Sequence, residues 1–182
     1  MRTSFKRAVS VCVLLGWTLL AQAQDKPVQT IASLDVGRYV GTWHEIAKYP
    51  NRFQKQCASQ TRAQYLAQTD GSLQVVNRCV TAQGETLEAI GQAHQVGGPT
   101  SPKLQVRFAP AWLSWLPWVW GDYWVIDLDP NYQLAAVSDA KREYLWVLSR
   151  QKKVDAPTYQ ALLARLAAQG FDLQRLELSP QP

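Results

Sequence analysis

The chain has 182 residues, enough for one domain with a sizeable core and too few to favour two. Its formal charge of +5 depends on Arg2, Lys6 and Arg7 at the extreme N-terminus. Without them 16 basic residues stand against 14 acidic ones, and a net +2 is no nucleic-acid footprint. Two histidines without neighbours at ligand spacing, and three cysteines without a Cys-x-x-Cys pair, give no reason to expect a metal site or a cofactor.

The N-terminus has the form of a secretory signal. A basic start is followed by the apolar run Ala8 to Leu20 and by Ala21-Gln22-Ala23, a small-x-small cleavage site. The run is shorter than the roughly 20 residues a spanning helix needs. Residues 1–23 are therefore expected to be a signal peptide and 24–182 a single domain. Gln24 stands where a lipid-anchored protein needs Cys, and Cys12 comes too early, so the expected product is soluble and periplasmic or secreted. Cys57 and Cys79 remain after cleavage, in a compartment that permits disulfides, and are expected to pair.

From Gly41 onward, short alternating or apolar runs are separated by turn residues. Strands are predicted near 42–49, 59–67, 73–80, 85–94, 103–109, 119–127, 132–138 and 143–149. Asp70-Gly71, Gly97-Gly98-Pro99 and Asp129-Pro130-Asn131 mark tight turns, too short for parallel crossovers, so neighbours should pair in chain order. Trp43 opens the first strand and Arg150 follows the last. The two can meet, guanidinium over indole, only if the sheet closes. Tyr144, Trp146, Leu148 and Arg150 share one face of the last strand, and Leu145, Val147 and Ser149 share the other. With both faces apolar, one should line an interior and the other should lie under a helix.

That helix is predicted at 157–169, with Asp155 as N-cap, Pro157 in the first turn, a Tyr159-Leu162-Leu163-Leu166 stripe and Gly170 as the stop. It is read as structural cover on the outside of the sheet. The segment Pro110-Ala111-Trp112-Leu113-Ser114-Trp115-Leu116-Pro117-Trp118-Val119-Trp120 breaks the strand pattern with two prolines. It is a loop that either meets lipid or a partner through Trp112, Trp115 and Trp118, or folds over the barrel end as a plug.

The order Gly41-Thr42-Trp43, then Gly121-Asp122-Tyr123-Trp124-Val125-Ile126-Asp127-Leu128-Asp129, then Tyr144-Leu145-Trp146-Val147-Leu148-Ser149-Arg150 before a helix, resembles the lipocalins. The branch it resembles holds the bacterial outer-membrane lipocalins, apolipoprotein D and the plant temperature-induced lipocalins. The resemblance implies an all-β fold, an eight-stranded antiparallel up-and-down barrel with one C-terminal helix outside, closed at one end and open at the other. It assigns Gly41, Trp43 and Arg150 to the structural end and places Tyr65, Trp146 and Tyr123 in the pocket wall. Strand parity adds Leu104, Val106 and Phe108.

The expected function is the binding of a fatty acid, lysophospholipid or similar amphiphile in the barrel, by a monomer or weak homodimer. Arg52, Lys55 and Arg107 are the candidates for a charged head group. A lipid-modifying enzyme is the alternative, with Glu45 as its acid or base, but no Gly-x-Ser-x-Gly is present and no activity is expected. A tetrapyrrole carrier is a third reading, and it depends on His44 or His94; parity places His44 opposite Trp43 and so outside.

Overall fold

The computed structural model describes residues 26–182, so the predicted signal segment lies outside the described residues. Among the described residues, nine strands form one sheet: β1 (Gly41–Lys48), β2 (Ser59–Ala67), β3 (Leu73–Val80), β4 (Thr86–Gln95), β5 (Lys103–Arg107), β6 (Gly121–Leu128), β7 (Leu134–Ser138), β8 (Leu145–Ser149) and β9 (Glu177–Leu178). Neighbours pair antiparallel in chain order. β1 then pairs with both β2 (Trp43 opposite Ala63) and β8 (Lys48 opposite Trp146), which closes eight strands into a barrel.

Period-two alternation sorts the apolar side chains into two cores. The inner one gathers Trp43, Tyr65, Val75, Leu104, Val125, Val137 and Leu148. The outer one gathers Ala136, Leu145 and Val147 against Leu162 and Leu166 of the helix α2 (Ala156–Ala168). β8 thus serves both cores, as its two apolar faces predict. Asp155 caps α2, accepting from Thr158 N at 3.0 Å. Asp155→Ala is expected to lower stability by about 1 kcal/mol, read by urea unfolding, and an unchanged midpoint would deny the cap its role.

Several elements differ from expectation, β7 and β8 by a start two residues later. β5 ends at Arg107 and β6 starts at Gly121, because Pro110 and Pro117 turn the intervening chain into two 3-10 turns, Ala111–Leu113 and Pro117–Val119. A single helical turn, α1 (Val36–Tyr39), capped by Asp35, precedes β1 and is too short to show a period. The two-residue β9 extends the sheet beside β1, where Ala47 faces Leu178.

α1 closes one end of the barrel. Its Tyr39 carbonyl accepts from Trp43 Nε1 at 2.8 Å, and the Arg150 guanidinium lies 4.0 Å over the Trp43 ring. That guanidinium also donates to the carbonyls of Arg38, Tyr39, Val40, Thr42 and Tyr132, so one side chain ties α1, β1 and the β6–β7 turn together. Gly41 is required here twice over: its φ is +99°, and a Cβ would stand 3.1 Å from Arg150 Nη1.

Candidate functional site

The barrel interior is built in tiers. At the closed end, above Trp43, three tyrosines from three separate elements meet. Tyr39 comes from α1, Tyr65 from the lower end of β2, and Tyr123 from β6 opposite Leu104. The Tyr123 hydroxyl lies 2.8 Å from that of Tyr39 and 2.7 Å from that of Tyr65. Burial pushes all three phenols above their ordinary pKa, so they remain neutral donors across the physiological range.

Higher up, the wall is made of small side chains. Ala63, Ala89, Gly91 and Ala93 all point inward, yet Ala89 is exposed and Gly91 partly so. This exposure lies where β4 runs past its last pairing with β5 at Gln92, at the open end of the barrel. Asn77, opposite Ala63 and Ala89, faces the same space, and its amide makes no hydrogen bond among the described residues. Trp146 stands on the facing wall. Its ring stacks on Tyr144 at 5.6 Å, and Tyr144 lies 5.7 Å from Phe53, giving a ladder of rings from rim to wall.

One buried carboxylate sits in this wall. Glu45 is 2% exposed and accepts from Ser179 Oγ and Gln54 Nε2. Gln54 Oε1 in turn accepts from Trp146 Nε1 at 3.0 Å. Burial raises the Glu45 pKa while these two donors pull it down. With both oxygens engaged, it is a structural tie between the C-terminal tail, the mouth loop and Trp146, which leaves it unsuited to the acid or base role considered for it.

The mouth has two lips. One is the loop Arg52–Gln54, held by Asn51 and by a disulfide from Cys57 to Cys79 on β3. The other is the tryptophan loop, in which Trp112, Trp115 and Trp118 are 73, 75 and 77% exposed. A plug is therefore not what this loop forms: its rings point away from the barrel. Only Trp120 turns back, packing edge-on against His94 at 4.6 Å on the outer face.

Of the predicted wall residues, Tyr65, Tyr123 and Leu104 converge at the floor, Val106 lies one tier above Leu104, and Trp146 flanks the mouth. Phe108 sits past the end of β5 and is 43% exposed, with its ring over Gly91, where a Cβ would come within 2.7 Å of it. A notch of about 340 Å³ opens beside it between the upper half of β4 and the tryptophan loop.

Arg107 does not enter the well. It is buried on the outer face under Trp120, donating to Gln92 and to the Ala109 carbonyl, and so anchors the loop. Arg52 keeps to the rim beside Phe53. His44 and His94 both face outward, which removes them as ligands to anything in the well. Tyr39 and Asn77 were missed by sequence reading, and so were Gln54 and Ser179, the partners of Glu45. Only Asn77 left a signal, as the polar member of the inward series Leu73, Val75, Asn77, Cys79.

A closed antiparallel barrel with a tyrosine floor, an open well and a single covering helix defines a small-molecule-binding β-barrel. Its family follows from comparison: the chain belongs to the lipocalins, matching the model of the lipocalin-like domain over residues 34–181. It is 36% identical over 160 residues to temperature-induced lipocalin-1 of Arabidopsis thaliana, covering 87% of this chain and 85% of that one. It is 34% identical over 156 residues to the outer membrane lipoprotein Blc of Escherichia coli, covering 85% and 84%. Insecticyanin of the tobacco hornworm Manduca sexta shares the fold, with a TM-score of 0.65 at 19% identity over 84% of this chain and 83% of that one. Fold and family together support the binding of a small hydrophobic ligand.

Proposed function

We propose that this lipocalin is a periplasmic or secreted carrier that takes the acyl chain of a fatty acid, lysophospholipid or similar amphiphile into its well. The observation that supports this reading is the open end of the barrel: Ala89 faces inward and still meets solvent, while the Phe108 ring covers the inward side of Gly91. Each methylene buried there contributes about 0.8 kcal/mol. The charged head stays at the rim, near Arg52 and Lys55. The test is native mass spectrometry of protein purified from the periplasm, followed by extraction of bound small molecules. A co-purifying fatty acid or lysophospholipid is expected. An empty protein whose tryptophan fluorescence no lipid alters would sink the carrier reading. Trp146→Ala is expected to weaken fatty-acid binding about tenfold, or 1.4 kcal/mol; an unchanged Kd would remove Trp146 from the site.

Residues 1–23 serve, in this proposal, as a cleaved signal. Gln24 at the cut stands where a lipid-anchored protein needs Cys, whereas the Blc relative is named an outer membrane lipoprotein. Three exposed tryptophans on one lip, with Phe53 at 65% exposure on the other, supply a reversible membrane contact instead, because indoles favour the interfacial zone. Replacing Trp112, Trp115 and Trp118 together by Ser is expected to abolish co-flotation with vesicles of phosphatidylethanolamine and phosphatidylglycerol. Flotation that survives the triple substitution would rule this contact out.

A further inference from the structure

Three phenolic hydroxyls meet at the floor, and two hydrogen bonds join them. Each hydroxyl brings one proton, so one O–H is left without an acceptor inside the cluster. Either oxygen of each pair can be the donor, and exposure favours Tyr123 as the holder of the free proton. Tyr39 is fully buried and Tyr65 is 4% exposed, while Tyr123 is only partly buried and faces the well. The arrangement that seals no proton into the wall has Tyr39 and Tyr65 both donating to Tyr123, whose own proton then points up into the well. A hydrocarbon end placed against it strands a buried donor, which is unfavourable.

The charge of the matching group follows from what surrounds it. No strand turns a Lys or Arg inward at floor level. Lys48, on the inward face at the rim, is paired with Glu177 at 3.0 Å. Arg150 lies beneath Trp43 with its donors engaged by backbone carbonyls. One O–H cannot compensate the desolvation of a carboxylate or phosphate, but it matches a neutral carbonyl, ester or hydroxyl oxygen.

We infer that the Tyr39–Tyr65–Tyr123 floor is a subsite for an uncharged oxygen acceptor, so that the well favours oxygenated chains with a ketone, ester or hydroxyl at the buried end. This rests on the carrier function proposed above. It adds selectivity by functional group to a well whose walls otherwise select only for apolar bulk.

The experiment compares dodecanoate with 11-oxododecanoate, which differ by a keto group near the buried end, by calorimetry on the mature protein. In an apolar floor the keto group would weaken binding at least about tenfold, because it loses its hydration and gains no partner. Kd values within about threefold of each other, or tighter for the oxo acid, are expected instead. In Tyr65→Phe/Tyr123→Phe the oxo acid is expected to lose about tenfold relative to dodecanoate. A second reading needs no variant: with carbon-13 at the keto position, the wild-type complex is expected to show a hydrogen-bonded carbonyl shift. A tenfold penalty for the oxo acid in wild type, or a carbonyl shift like that in alkane solvent, would overturn the subsite and leave the carrier standing. Failure of both acids to bind would overturn the carrier and the subsite together.

Discussion

Trp43→Ala is expected to lower the unfolding free energy by about 3–5 kcal/mol, the range for deleting a large buried aromatic side chain. Trp43 is fully buried, and its ring is held on three sides: Tyr39 at 4.9 Å, the Arg150 guanidinium at 4.0 Å, and the inner core. Deletion leaves a void that the sheet cannot collapse into, because the strands around it are pinned in register by a closed ladder. It also strips the one aromatic face from Arg150, whose remaining partners are carbonyls. Urea unfolding followed by circular dichroism measures the loss. A change below about 1 kcal/mol would mean that the Arg150 bonds alone hold the closed end.

The second large effect is expected at the opposite end. Replacing Cys57 and Cys79 by Ser is expected to lower stability by about 3 kcal/mol, since the bridge closes a loop with a sequence separation of 22 and restricts the unfolded chain accordingly. The folded state should change less, because Asn51 and Gln54 hold the mouth loop by their own hydrogen bonds. Unfolding of the double variant should therefore match that of reduced wild type. Equal midpoints for oxidised and reduced wild type would show that the bridge restrains a segment already ordered without it.

The barrel was legible in the sequence because its information is local and periodic. β2 and β3 match the expected 59–67 and 73–80, and the cap, stripe and stop of α2 are residue-type signals that need no tertiary context. The pairing of Trp43 with Arg150 was legible because cation–π contact leaves a recognisable residue pair. The site was legible only in part. Parity finds which residues look inward and pointed to Leu104, Val106 and Phe108, whereas Tyr65, Tyr123 and Trp146 came from the family resemblance. Parity says nothing of height within the barrel, so it does not tell that Phe108 lies past the end of β5, with its ring over the inward side of Gly91. Tyr39 comes from a single helical turn without a period, and its bond to Tyr123 spans 84 residues. Arg107 misled because strand end and charge suggest a head-group site, whereas its neighbours across the sheet, Gln92 and Trp120, turn it into an outer-face anchor. The tryptophan loop shows the same limit, since composition reveals unusual apolarity but not the direction of the rings.

The tail after α2 fills a slot that the strands leave open. β1 and β2 pair only as far as His44 and Arg62. Above that point Ser179 N donates to the Ile46 carbonyl, Gln60 N to the Pro180 carbonyl, and Gln181 Nε2 to the carbonyls of Glu45 and Thr61. The wall at the first strand is thus completed by residues 136 positions further along the chain. A nascent chain still short of Gln181 has a seam in its side and a first strand with unpaired edge groups, whatever else has formed. Closure of the barrel wall therefore waits on the ordering of Ser179 to Gln181. That makes the last few residues a poor place to truncate and a sound place to monitor folding, since protection of the Ser179 amide from hydrogen exchange reports that the seam has shut.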